Sequence, residues 1–232
     1  MITSLTNPKI KEIAKLTKRK YIDKYNMTLI YNDKVIDEAI KTNNLVCLIT
    51  NKQVSSDIPN LLVSDEVLIK LHPHHQLAYV AIIKTKEAKP LSTKQVLVLD
   101  EIKDPGNMGS ILRSAFSFGI KDVVITPGCV DINSHKVIVA SAGSIFYLNI
   151  IKQDLITYLN KSEFPIITTF LDEEHNTQKE VSEFNLVIGN EQVGIKEEVK
   201  ELVHTNYKIE TEFESLNVSV ATGIIIYNLL KG

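Results

Sequence analysis

Short apolar runs alternate along this chain with segments whose apolar residues recur every three or four positions. Asn7-Pro8 has the form of a helix start, a side-chain cap followed by a residue that needs no donor there. Ile10, Ile13, Ala14 and Leu16 then share one face and the lysines fall mostly on the other, which predicts an amphipathic helix with a basic outer surface. Apolar runs predict strands over 27–31, 45–50 and 77–84, with a brief apolar piece at 61–63; helical spacing predicts helices over 33–40 and 65–71. The polar stretch TKEAKPLSTKQ (85–95) reads as a linker. Beyond it, a strand over 95–100, a helix over 110–119 ended by Gly119 and a strand over 122–126 form a βαβ unit, which requires a parallel sheet. A helix over 134–142 closing at Gly143, a strand within 145–150, a helix over 152–161, strands over 165–170 and 185–189, a helix over 196–203, an extended pair at 208–209 and an apolar helix over 216–230 complete the pattern. The expected class is α/β, with a small domain over 1–88, a linker at 89–94 and a larger domain over 95–232.

Composition narrows this picture. With 44% hydrophobic residues the 232-residue chain can bury a core. No apolar run reaches the length of a membrane span, and MITSLTNPKIKE lacks a signal peptide's apolar region, so a cytoplasmic protein is expected. Cys47 and Cys129, far apart in apolar surroundings, read as buried free thiols. A net charge of −2 argues against indiscriminate polyanion binding, but the charge is unevenly spread. Residues 1–34 hold eight basic side chains against three acidic ones, while 172–214 lean acidic. A basic arm on an acidic body suits contact with nucleic acid, and equally a solvated lysine-rich helix. His72, His74 and His75 crowd one loop, but no cysteine or second ligand cluster accompanies them, so no metal is expected.

Three clusters carry candidate chemistry. In Leu99–Gly119 an apolar strand runs into a loop with Asn107 and Gly109 and then a helix with Arg113; in open α/β sheets ligands bind outside such strand ends, although a helix cap by Asn107 and a solvated Arg113 fit as well. In LVIGNEQVG, glycines allow close backbone approach to a ligand and Glu191 offers a carboxylate, or the stretch is an ordinary strand-to-helix turn. In ESLNVSVATGIIIYN, Ser215 and Asn217 stand at a helix start and Ser219, Ala221 and Gly223 permit close packing in a core or between subunits.

In this order the three clusters resemble the SpoU/TrmH family of RNA 2′-O-ribose methyltransferases, of the SPOUT superfamily. NMGSILRSA (107–115) is similar to the family's N-x-G-x-x-x-R-x-A, GNEQVG (189–194) to G-x-E-x-x-G, and SLNVSVA (215–221) matches its third motif throughout. ASAGSIF (140–146) resembles the segment between motifs one and two, and TSLTNPKIKEI with the later LAYVAI resembles the L30e-like substrate domain of family members. The chain departs from the family at Tyr207-Lys208-Ile209 and Thr211, where Ile-Pro-Met and Gly are usual, at Val139, where Arg is common, and around Tyr31-Asn32, where a Gly follows the strand.

The resemblance implies a C-terminal parallel sheet closed by a trefoil knot, behind an L30e-like domain. It implies S-adenosylmethionine as cofactor, held at positions matching Thr169, Gly189, Asn190, Gly194, Tyr207, Ile209 and Leu216. It implies methyl transfer to a ribose 2′-hydroxyl of structured RNA, rRNA ahead of tRNA, by Asn107, Arg113, Glu191, Ser215 and Asn217, with no metal. Arg113 would activate the hydroxyl or contact phosphate, a demanding role for a group with so high a pKa. A homodimer through the knot domain is implied too, and RNA contact by Asn7, Lys9, Lys11, Lys18, Arg19 and Lys20. A non-catalytic RNA-binding protein of the same fold would not need Arg113, Glu191 and Asn217, and a nucleotide-dependent enzyme would be expected to show a G-x-G-x-x-G or Walker loop.

Overall fold

A computed structural model describes residues 1–72, 79–169, 181–212 and 216–231. In chain order its elements are α1 (Pro8–Lys15), α2 (Arg19–Tyr25), β1 (Met27–Ile30), α3 (Asp33–Lys41), β2 (Leu45–Thr50), β3 (Asn60–Leu62), α4 (Asp65–Leu71) and β4 (Tyr79–Lys84). There follow β5 (Gln95–Leu99), α5 (Pro105–Phe118), β6 (Asp122–Ile125), α6 (His135–Ala140), β7 (Asn149–Lys152), α7 (Leu155–Leu159), β8 (Ile166–Thr168), β9 (Phe184–Ile188), β10 (Thr205–Asn206) and α8 (Val218–Lys231). Two 3-10 helices, Ser144–Tyr147 and Glu197–Leu202, lie between them. No helix among the described residues is long and apolar enough to cross a membrane.

The chain forms two compact units. The first is Met1–Glu87 with Asn133–Phe146. Its sheet has the order β1-β4-β2-β3, antiparallel except between β2 and β3. Ile10, Ile13 and Leu16 join Leu29, Ile49, Val67, Leu71 and Val80 in one core, which explains the apolar face expected of the first helix. That helix is shorter than its pattern: it stops at Lys15, and α2 begins at Arg19. The segment 133–146 joins this unit through α6 on β1, with the Tyr31 ring 4.0 Å from that of His135. Gly143, at φ +86°, lies so close to α3 that a Cβ would come within 2.7 Å of Glu38 Cβ. His72 is buried, its ring edge-on to Tyr31; His74 and His75 lie outside the described residues.

The second unit is Ala88–Ile132 with Tyr147–Gly232. Among the described residues its six strands are all parallel, in the order β10-β8-β9-β5-β6-β7. Val96, Val98, Val124 and Val187 pack with α7, Ile195 and Val199, and the alternate residues Leu97, Leu99, Val123 and Leu186 are buried as well, as in a sheet covered on both faces. From β5 the chain builds outward through β6 to β7, then fills the other side with β8, β9 and β10. The order therefore reverses between β5 and β9, where a ligand crevice is expected at the carboxyl ends.

Residues 88–94 are fastened to this sheet. The buried Asp122 carboxylate accepts the Ser92 and Thr93 amides at 2.9 and 2.7 Å, both their hydroxyls, and Asn149 Nδ2 at 2.7 Å. Burial pushes the Asp122 carboxyl up, but these hydrogen bonds outweigh it and hold the group below its ordinary value. Burial raises both thiols, and Cys47 and Cys129 are free.

Several boundaries move from their expected places. Helix α5 opens at Pro105, five residues early, because Asp104 caps it by accepting the Asn107 amide at 2.7 Å. Asn107 is therefore inside the helix and is not its cap. The expected helix over 196–203 is the 3-10 turn Glu197–Leu202, the last short strand lies at Thr205–Asn206, and α8 starts at Val218.

Candidate active site

The central strands β5 and β9 end together, Leu99 paired with Ile188, and the Asp100 amide still donates to the Ile188 carbonyl at 2.9 Å. The loops that carry the first two motifs thus leave the sheet side by side. The β9 loop turns back at once: Asn190 and Gly194 exchange backbone hydrogen bonds of 3.0 and 2.9 Å. Asn190 Oδ1 accepts the Gln192 and Val193 amides inside this turn, and its Nδ2 donates to the Glu101 carbonyl at 2.9 Å. Main chain and side chain of Asn190 are thus both engaged in shaping the turn. Gly194 has φ +76°, and a Cβ on Gly189 would sit 2.4 Å from the Gly194 carbonyl carbon, so this turn exists only with glycine at 189.

Glu191, at the top of the turn, accepts Asn107 Nδ2 at 3.2 Å. Asn107 Oδ1 in turn accepts Asn217 Nδ2 at 3.0 Å. Asn217 Oδ1 takes the Ser219 amide at 2.9 Å and its hydroxyl at 2.7 Å, capping the first turn of α8. The orientation of the chain is forced. An ionised carboxylate only accepts, so Asn107 must offer it the amide nitrogen; its oxygen then faces Asn217, whose own oxygen is left for the helix amide. One residue from each of the three motifs is joined in a single donor–acceptor sequence.

Beside this network lies a cavity of about 640 Å³, within the range that holds small-molecule ligands. Asn107, Thr169, Gly189, Asn190, Glu191, Gly194, Tyr207, Ile209, Leu216 and Asn217 all line it. Tyr207 is fixed at both ends, its amide to the Thr168 carbonyl at 2.7 Å and its hydroxyl accepting Asn228 Nδ2 at 2.9 Å. Two residues predicted to be catalytic are not gathered here. Ser215 lies outside the described residues, and Arg113 is exposed on α5 and does not line the cavity. Six residues beyond Asn107, it stands about 9 Å further along the helix axis. Lys9, Lys11, Lys18, Arg19 and Lys20 are exposed in the first unit, whereas the side chain of Asn7 accepts the Lys9 amide at 2.9 Å as the cap of α1.

Sequence reasoning missed Glu101 and Lys196. Lys196 Nζ lies 3.1 Å from Glu101 Oε1 and 3.5 Å from the buried Asp100 carboxylate. The Lys196 hydrogen bond holds the Glu101 carboxyl below its ordinary value. Burial would lower the Lys196 ammonium, but the two carboxylates raise it. It also missed Thr222 and Ile225 of α8, which line the cavity from one helical face.

Residues 94–227 match the family model described as the SpoU rRNA Methylase family. The chain belongs to this family. Across 98% of both chains it is 27% identical to the 23S rRNA (guanosine(2553)-2'-O)-methyltransferase RlmP of Bacillus subtilis. Among solved structures it is similar to an RNA 2′-O ribose methyltransferase, with a TM-score of 0.81 and 26% identity over 99% of this chain and 98% of that one. An AdoMet-bound rRNA methyltransferase from Sinorhizobium meliloti shares the fold, with a TM-score of 0.84 and 24% identity over 98% and 96% of the two chains. The parallel sheet, with the cavity outside the carboxyl ends of β8, β9 and β10, is thus the SpoU fold, and the hydrogen-bonded sequence joins the three segments that carry Asn107, Glu191 and Asn217.

Proposed function

We propose that this SpoU protein transfers a methyl group from S-adenosylmethionine to a ribose 2′-hydroxyl of rRNA. The observation that carries the reading is the Glu191–Asn107–Asn217 sequence beside a ligand-sized cavity at the carboxyl ends of β8, β9 and β10. The Bacillus subtilis relative is named for 2′-O-methylation of 23S rRNA, and the Sinorhizobium meliloti structure holds AdoMet.

The cavity's donor set fits such a cofactor. Apolar side chains of Ile188, Ile209, Leu216 and Ile225 suit a flat heterocycle, and the glycine-bearing turn offers main-chain polar groups. The charged lining is mixed, Glu191 and Glu197 with Lys200 and Lys208, Lys200 pairing with Glu197 at 3.0 Å, which suits a ligand that carries both signs of charge. Gly189, Tyr207, Ile209 and Leu216 would hold it, with Thr169, Asn190 and Gly194 completing the wall. When bound, S-adenosylmethionine supplies a methyl group already activated by its sulfonium. The protein's part is to present the hydroxyl. Asn107, held between Glu191 and Asn217, orients the ribose. The 2′-hydroxyl is also the group that distinguishes RNA from DNA.

Arg113 belongs to hydroxyl activation and phosphate contact, yet it is outside its own chain's cavity. We assign it to the cavity of a second copy in a homodimer. Val220, Ile224 and Tyr227 form an exposed apolar stripe on α8, the kind of surface a partner covers. The basic residues of α1 and α2 would hold RNA phosphates, and the trefoil knot and L30e-like domain are those of the family. Two free thiols accord with a cytoplasmic setting. Titration calorimetry with S-adenosylmethionine tests the cofactor assignment: one site per chain is expected, and no heat of binding at millimolar ligand would refute it.

A further inference from the structure

Glu101 is a non-glycine residue at φ +54°, a left-handed conformation that such side chains rarely adopt and that survives only where surrounding contacts over-determine it. Every part of it is held. Its amide donates to Thr126 Oγ1 at the end of β6, at 3.0 Å. Its carbonyl accepts Asn190 Nδ2 at 2.9 Å. Its side chain lies across Gly128, where a Cβ would come within 2.6 Å of Glu101 Cγ. Its carboxylate lies between Lys196 at 3.1 Å and Lys103 at 3.5 Å.

These contacts share one target. Asn190 opens the second-motif turn and Lys196 follows its end, so both ends of the turn are tied to the corner at Asp100 and Glu101. Buried Ile195, between Gly194 and Lys196, roots the turn in the core. Glu191 sits within this doubly tied segment and next to Asn190, and it is the residue that reaches Asn107. The tie at Asn190 is a neutral hydrogen bond; the tie at Lys196 is ionic, with one partner, Asp100, withdrawn from solvent. A charge pair with a buried member is screened less than a surface pair.

We infer that Glu101 and Lys196 are positioning residues for methyl transfer, a latch that fixes the second-motif turn against the start of α5 and so holds Glu191 on Asn107. This rests on the proposed roles of Glu191 and Asn107. The latch touches no substrate; it acts through the turn. It gives the strained backbone at Glu101 a purpose, because a relaxed residue there would turn its carbonyl away from Asn190.

The test is a double-mutant cycle on methyl transfer to rRNA with Lys196→Met and Glu191→Gln. Lys196→Met should lower kcat about tenfold with KM for RNA changed less than twofold, Lys196→Arg should restore at least half of kcat, and Glu191→Gln should cost less than twofold in the Lys196→Met background. Full additivity of the two substitutions, or an unchanged kcat in Lys196→Met, overturns the latch while leaving the methyltransferase reading intact. A readout independent of activity is amide hydrogen exchange at Gln192 and Val193, whose amides are bonded to Asn190. Exchange there should rise at least tenfold in Lys196→Met and return toward the unsubstituted rate in Lys196→Arg; unchanged exchange with Lys196→Met also overturns the proposal, whether or not transfer is detected.

Discussion

Asn107 and Glu191, 84 residues apart, meet across the mouth of the second unit's cavity, amide nitrogen to carboxylate oxygen at 3.2 Å. The bond is solvent-exposed, so its net contribution to stability is about 1 kcal/mol or less. Its importance lies in direction, since it sets which end of Asn107 faces Asn217. Asn107→Asp replaces a donor with a second carboxylate opposite Glu191, so the bond to Glu191 is lost and like charges face each other, while an oxygen remains to accept Asn217 Nδ2. Methyl transfer should fall on the order of 100-fold, the scale of a misplaced reacting group, while thermal stability changes by only a few degrees. Steady-state kinetics and a melting curve on the same preparation check both halves; a loss of transfer matched by unfolding would contradict the orienting role.

Gly189 is a geometric requirement. A methyl group there would overlap main-chain atoms of Gly194 and Ile195 at 2.4–2.5 Å, and backbone cannot swing aside as a side-chain tip can. Gly189→Ala must open the 190–194 bridge and with it the cavity wall. Affinity for S-adenosylmethionine should drop at least about tenfold, or 1.4 kcal/mol, by calorimetry. Gly223→Ala is the internal control. Its nearest neighbour, Ser114 Oγ, would be 3.6 Å from the new methyl group, an ordinary contact, and cofactor affinity should hold.

Asp122 predicts a pH dependence of stability. Its carboxyl titrates below the ordinary 3.8 in the folded chain because Asn149, Ser92 and Thr93 donate to it despite its burial. A depressed folded value contributes stability that is fully present above the unfolded value and is lost as pH falls from 3.8 through the folded value. Urea denaturation from pH 6 down to pH 2 should show this acid limb, and Asp122→Asn should flatten it. Asp122→Ala, which strands donors of the 88–94 segment, should cost about 3 kcal/mol at pH 7. An acid limb identical in Asp122→Asn and the unsubstituted protein would rule out this assignment.

If Arg113 serves a partner's cavity, two inactive variants should repair each other. Arg113→Ala and Asn217→Ala, each inactive alone, should regain about a quarter of full transfer when mixed and allowed to exchange subunits, since half of the dimers are then mixed and each of these carries one intact site. No recovery in demonstrably mixed dimers would return Arg113 to its own chain.

The order of the elements was legible because hydrophobic period and turn residues report it locally. The sites were legible only where a motif keeps its spacing: Asn107, Glu191 and Asn217 were read so, and they meet in space. The start of α5 was misread because Gly106, Asn107 and Gly109 resemble a turn, whereas the Asp104 cap and the burial of Met108, Ile111 and Leu112 make the segment helical. The Glu101–Lys196 pair had no local signature, since contacts spanning 95 residues leave no periodicity. The grouping of Asn133–Phe146 with the first unit had none either: α6 reads like any crossover helix, and only its packing on β1 and the closeness of Gly143 to Glu38 reveal the attachment.

The central claim, 2′-O-methylation of rRNA, is tested most directly by incubating the purified protein with S-adenosylmethionine carrying a labelled methyl group and rRNA transcribed without modifications, then mapping the label by nuclease digestion and mass spectrometry. Label on a ribose 2′-oxygen at a single nucleotide, absent with Asn107→Asp, is the predicted result. Label confined to bases, or no transfer to any rRNA by protein that binds the cofactor, would contradict it.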